Sequence, residues 1–297
     1  MAIVGFDGTW NDENPKPGQR PSNVRRFLEA AETDVIYKRG IGNDADYGLL
    51  MQWLGGAFGA GGGGIVRDAL FALGGLAEQG KASVVDVIGF SRGAALALHF
   101  ANMVCSRGVP LPATRKAHRR ITPNPSGKGN RIVTTYTYDW RKIPVRWLGL
   151  WDTVPSMGIP DNDINLGYRL DLPEGVGGSH AMALDVASSL FILHRVSGAR
   201  EVWFMGRHGE VGGSSGDELL ANCTLRWMAR EAQGYGVPVD LSRIVMSAPG
   251  FLVAPPKKDG KSRVRGRRIV HPGDLVHRTV KQESYPNIPW GQVGVVG

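Results

Sequence analysis

The 297-residue sequence is poor in cysteine, with only Cys105 and Cys223. Two thiols cannot build a disulfide framework, nor a four-ligand zinc site without other partners. Both fall in apolar helical patterns, where a buried free thiol is the expected state. Long hydrophobic runs are missing too, and none approaches the ~20 residues that span a bilayer. The first residues, MAIVGFDGTW, lack the charged n-region and long apolar h-region of a signal peptide. The expectation is a soluble protein, cytoplasmic as synthesised, that could leave its cell only by a signal-independent route. No G-X-Y period runs through the 42 glycines, which excludes collagen although glycine is near 14% of the chain. Hydrophobic residues make up 42%, with eight Trp and nine Phe, which excludes a disordered chain. The length suits a single domain over 1–297.

Short apolar runs rich in β-branched and aromatic residues alternate with helical patterns. This predicts an α/β fold with a mostly parallel central sheet, helices on both faces and loop or cap insertions. Strands are predicted over 2–6, 34–38, 83–90, 146–151 and 200–205, and helices over 22–31, 65–79, 92–105 and 217–232. Runs such as VVDVIGF and WLGLW are apolar almost throughout, as strands between two helix layers are. Residues 107–142, rich in Pro, Gly and basic side chains, read as a loop or cap insertion. The stretch 153–178 reads as irregular, and 255–268 as a basic segment.

The most informative stretch is 84–104, where Gly89-Phe90-Ser91-Arg92-Gly93 joins a strong strand to a helix of small residues. A serine on so sharp a strand-to-helix turn needs glycine neighbours and presents its hydroxyl at the sheet's edge. The Arg92 amide at the helix start suits a developing oxyanion. A second amide could come from Gly8 or Thr9, where the first strand ends. Serine requires a base, and the base an orienting acid. Asp152 follows the strand RWLGLW and His208 follows REVWFMG, both at strand ends. The order Ser, Asp, His is that of α/β-hydrolases. His180 and His277 are rival bases, and Asp185, Asp86 and Glu210 are rival acids, of which Asp86 lies awkwardly within the strand before Ser91 and Glu210, two residues beyond His208, is also a candidate supporting group.

Other signals are weaker. The run 59–64 fits G-x-G-x-x-G but follows a poor strand and reads as a loop leading into a helix. Residues 161–165, DNDIN, lack the spacing of a calcium loop. No metal and no cofactor are expected, because a serine triad requires neither. Charge is uneven: residues 257–268 hold seven Lys/Arg and one Asp, 7 − 1 = +6 of the +8 total. That segment suggests contact with an anionic membrane surface. Nucleic acid is not expected, since no aromatics interleave the cations.

The ordered set FDGTWND (6–12), YKRGIG (37–42), GFSRGAALA (89–97), WLGLWDTVPSMGIP (147–160), HAMALD (180–185) and EVWFMGRHGEVGGS (201–214) spans most of 3–232. It resembles the DUF2235 family of α/β-hydrolases, which includes the Tle1-like phospholipase effectors of type VI secretion. VHRTV (276–280) matches a weaker feature near the family's end. The resemblance implies a catalytic set of Ser91, Asp152 and His208, and a phospholipase of A1 or A2 type. It also implies a phospholipid or other acyl-ester substrate and, for an effector, a secretion or immunity partner. The family's H-S-D-V-G-G-G reads here as HGEVGGS (208–214), which keeps a carboxylate, and the long C-terminal region of secreted effectors has no counterpart. A small-ester or thioester hydrolase, or a non-catalytic basic lipid-binding module on the same scaffold, stand as alternatives.

Overall fold

A computed structural model describes residues 1–8, 20–40, 64–125, 127, 129–155, 169–186, 192–214, 218–244 and 266–297. The chain opens with β1 (Ala2–Phe6), α1 (Asn23–Ala30), β2 (Asp34–Lys38), α2 (Gly64–Glu78), β3 (Val85–Phe90) and α3 (Arg92–Arg107). Then come β4 (Val109–Pro110), β5 (Lys116–Pro123), β6 (Asn130–Thr137), β7 (Trp140–Arg141), β8 (Val145–Trp151) and β9 (Gly177–Val186). It closes with β10 (Arg200–Arg207), α4 (His208–Val211), α5 (Glu218–Gly234), β11 (Gly266–Arg267), β12 (Leu275–His277) and β13 (Gly294–Val296). Among the described residues, nine strands form the central sheet, in the order β13-β12-β10-β9-β8-β3-β1-β2, with β11 against β9. Every pairing is parallel except β11 with β9. The four predicted helices and five predicted strands are present, with ends shifted by at most two residues.

Alternation along the strands divides the core. Val4 and Phe6 of β1, Val87 of β3 and Leu148 and Leu150 of β8 pack with α2 and α3. Ile3, Ile88, Trp147 and Trp151 face the other way, toward α1 and α5. There Phe27 of α1 stacks on Trp147, ring centroids 6.0 Å apart, and meets Trp151 edge-on at 6.1 Å. A third cluster joins Met182, Leu184, Trp203 and Met205 of β9 and β10 to Val270, Val276, Tyr285 and Ile288. The C-terminal residues thereby cover part of the sheet and extend it.

Strand β9 is absent from the sequence expectation, and the cause is physical. Ser179 and His180 break its apolar run, yet both are fully buried. Each is satisfied from a neighbouring strand: the Trp147 indole donates to Ser179 Oγ at 3.1 Å, and His180 Nδ1 meets Glu201 Oε1 at 3.0 Å. Polar residues paired in this way are compatible with burial.

The insertion 107–142 also departs from expectation. It is built around the β5–β6 hairpin, whose residues are nearly all exposed. A ribbon with no buried face shows no apolar alternation, so the pattern gave no strand. It joins the end of α3 to the start of β8, at the edge where strands begin. Ser91 lies at the opposite edge, so the insertion is not rooted as a cap beside it.

Phe27→Ala should lower stability by about 3–5 kcal/mol, the cost of an aromatic-sized core cavity. Urea denaturation would measure it, and a loss below 1 kcal/mol would contradict the packing of α1 on β8.

Candidate active site

The site lies at the C-terminal ends of β3, β8 and β10. Ser91 follows β3 with φ 59° and ψ −128°, a left-handed conformation costly for any residue with a Cβ. The surroundings hold it there. Its amide donates to Trp151 O at 2.9 Å and its carbonyl accepts from the Val154 amide at 3.2 Å, which ties the turn to the end of β8. A Cβ on Gly93 would stand 2.3 Å from the carbonyl oxygens of Phe6 and Asp7. Only glycine lets α3 begin this close to β1.

Asp152 follows β8 and also has positive φ, at 42°. The residue is fully buried, and its backbone amide donates to Ala181 O at 2.8 Å. His208 opens α4 directly after β10. Its Nδ1 lies 2.7 Å from Asp152 Oδ2 and its Nε2 lies 2.8 Å from Ser91 Oγ. A carboxylate can only accept, so Nδ1 carries the proton and the Nε2 lone pair accepts from the Ser91 hydroxyl. The imidazole packs on the Phe90 ring, centroids 4.7 Å apart. Gly212 is required at that contact, because a Cβ there would fall 2.0 Å from the Phe90 ring.

The other oxygen of Asp152 is equally engaged. Oδ1 accepts from the Ala183 amide at 2.8 Å and from Arg268 Nη1. Burial alone would raise this carboxyl. The Arg268 charge and the His208 hydrogen bond outweigh it and hold Asp152 well below the ordinary carboxylate range.

The rival residues are placed elsewhere. His180 is fully buried between Glu201 and Thr153, whose amide donates to Nε2 at 3.1 Å, so it braces the residue after Asp152. Asp185 accepts from the Tyr285 hydroxyl at 2.6 Å and the Gly206 amide at 3.2 Å. Glu210 accepts from the Arg207 amide at 2.7 Å and the Arg207 guanidinium at 2.8 Å, closing the turn that carries His208. His277 stacks on Phe204 and bonds Thr279, and burial lowers it to about 4.

Of the two candidates for a second oxyanion donor, one has a described partner. The Gly8 amide donates to Asp7 Oδ1 at 2.7 Å, a bond that draws it away from a substrate. Thr9 lies outside the described residues, as do 59–63 of the glycine run and 161–165. Arg92 is the first residue of α3, and its amide belongs to the first turn, which a helix leaves without internal acceptors.

Two supporting residues were missed by sequence reasoning. Asn23, fully buried, donates from Nδ2 to Val211 O and Ala221 O, each at 3.0 Å, and so staples α4 to α5. Its only sequence signal was a polar residue one position into an amphipathic helix. The other is Arg268, which the basic run 257–268 had suggested as a membrane contact. Its side chain is 10% exposed and turned inward to Asp152, while Arg267 reaches Asp185 and covers the Tyr285 ring. Residues 257–265 lie outside the described set.

With this geometry in place, residues 1–231 match the family described as T6SS, phospholipase effector Tle1-like, catalytic domain. The chain belongs to the Tle1-like phospholipase effector family. No curated protein matches the chain. Among solved structures, an uncharacterized protein from Pseudomonas aeruginosa is similar at 19% identity and a TM-score of 0.50. The match covers 83% of this chain and 47% of that one, so the chain spans about half the length of that structure, and the likeness shows the fold alone. Among the described residues, no helix is long and apolar enough to cross a membrane.

A folded carboxyl held below its unfolded value of about 3.9 stabilises above that pH, and the stabilisation drains away as pH falls. Asp152→Asn should therefore cost about 3 kcal/mol at pH 7, where it leaves Arg268 without its charge partner. The gap to wild type should narrow below pH 4. Urea titrations at pH 7 and pH 3 would measure this, and a gap that widened in acid would contradict it.

Proposed function

We propose that the protein is a serine ester hydrolase acting on phospholipid, with Ser91 as nucleophile, His208 as general base and acid, and Asp152 as orienting carboxylate. The observation that carries this reading is the continuous hydrogen-bonded path from Ser91 Oγ through both imidazole nitrogens to Asp152. Ser91 Oγ attacks the ester carbonyl carbon as its proton passes to His208 Nε2. The carbonyl oxygen takes the negative charge beside the Arg92 amide, at the positive end of α3. Collapse of the tetrahedral intermediate breaks the acyl C–O bond, and the lysophospholipid oxygen leaves with the proton from His208. A water, deprotonated at the same nitrogen, then releases the fatty acid from the acyl-enzyme. Asp152 stabilises the imidazolium in both halves without itself taking a proton.

Family membership points to membrane phospholipid rather than a small ester, and to an immunity protein in cells that carry an effector of this kind. The single α/β-hydrolase domain over 1–297 is part of the same reading, since residues beyond 266 add strands to the sheet that carries the site.

Ser91→Ala should reduce phospholipid hydrolysis by at least 10³-fold, roughly the effect of removing a triad nucleophile. It should also abolish fluorophosphonate labelling while the melting temperature stays within a few degrees. Mass spectrometry of products from mixed phospholipids would show which acyl position is cut. Retention of ester hydrolysis by the alanine variant would remove Ser91 from this role.

A further inference from the structure

We infer that Arg268, supplied from beyond the family-matched residues, is a positioning residue that confines Asp152 and limits how strongly its charge acts on His208. The inference deepens the proposed serine mechanism and rests on it. Three observations carry it. Arg268 Nη1 donates to Asp152 Oδ1, the oxygen that His208 does not use. The same nitrogen donates to Ala183 O at 3.0 Å, and the Arg268 backbone amide donates to Leu184 O at 2.9 Å, so β9 holds both the main chain and the guanidinium of this residue. Its side chain is 10% exposed beside a carboxylate with no exposure, so little water screens the pair.

Placement in the chain makes this more than charge neutralisation. Arg268 follows the two-residue strand β11, which pairs antiparallel with the last residues of β9. That pairing continues the sheet past the end of β8, where Trp151 opposes Ala181 and Asp152 turns away. The strand delivers a cation to the side of the carboxylate opposite the imidazole. Asp152 is thereby gripped between a fixed cation and the base, with its second oxygen turned to His208.

Among the described residues, several other charges around the site pair with one another. Arg207, the last residue of β10, bonds Glu210 of α4, and Arg267 faces Asp185 at the end of β9. On the outer helices, Arg26 of α1 lies in the field of Glu218 of α5. Arg92 flanks Ser91 on α3. Arg268 is the cation that shares the carboxylate with the base, so its removal changes what His208 experiences most directly.

Arg268→Gln removes the charge and leaves Asp152 uncompensated against the imidazole. The acid limb of the activity profile should move up by about 1 pH unit, and the plateau rate should fall roughly 10- to 100-fold as the carboxylate loses its second anchor. Arg268→Lys keeps the charge, so its limb should stay within roughly 0.3 unit of wild type while its rate falls less than that of the glutamine variant.

The experiment measures the rate of fluorophosphonate labelling against pH for the full chain and both variants, with Ser91→Ala as control. An unlabelled wild-type protein defeats the serine reading itself and the inference with it. Labelling of wild type, with a glutamine variant matching it in rate and limb, overturns the role of Arg268 alone. Should the glutamine variant not fold, the lysine variant decides: a retained limb supports the inference, and a limb raised by a full unit overturns it, since the charge is still present.

Discussion

A fully buried carboxylate is the constraint around which the site is built. Asp152 without partners would cost several kcal/mol or give up its charge. Its acceptor positions are instead filled from three directions, by the Ala183 amide of β9, the His208 imidazole of α4 and the Arg268 guanidinium after β11. Each partner comes from a different part of the chain, so the carboxylate ties the end of β8 to the strand beside it and to the C-terminal residues. The path from Ser91 to Asp152 depends on that arrangement.

Strain is the second requirement. Ser91 and Asp152 are the described non-glycine residues with positive φ, and their backbones are linked through the bond from the Ser91 amide to Trp151 O. Neither conformation would persist on a free loop. Here each residue ends a central parallel strand, and helices pack against both faces of that sheet. Close approach at Gly93 and Gly212 lets α3 and the turn after His208 meet their neighbours without side chains in between. The glycine surplus of this sequence thus acts partly through contacts in which a single methyl group would not fit.

Polar residues buried away from the candidate site do a different job. His180, Glu201 and Thr153 bind one another across β8, β9 and β10, and Asp185 binds Tyr285 and the Gly206 amide. These networks set strand ends relative to one another. They also explain why a histidine and an aspartate with credible sequence contexts lie outside the candidate set.

The sequence by itself determined the layered α/β architecture, because the apolar periods of helices and buried strands follow from local geometry. It also determined Ser91, Asp152 and His208 as the candidate set, since a strand-to-helix turn with flanking glycines and two strand-end polar residues leave marks along one dimension. Tertiary structure alone decided the rest. Strand β9 was hidden because its buried polar residues find partners only in other strands, and the β5–β6 hairpin because it buries neither face. Arg268 read as one cation in a basic run. Nothing local distinguishes an arginine bound for solvent from one that pairs with a carboxylate 116 positions earlier. That choice is made when β11 joins the end of β9 and brings the two charges together out of water.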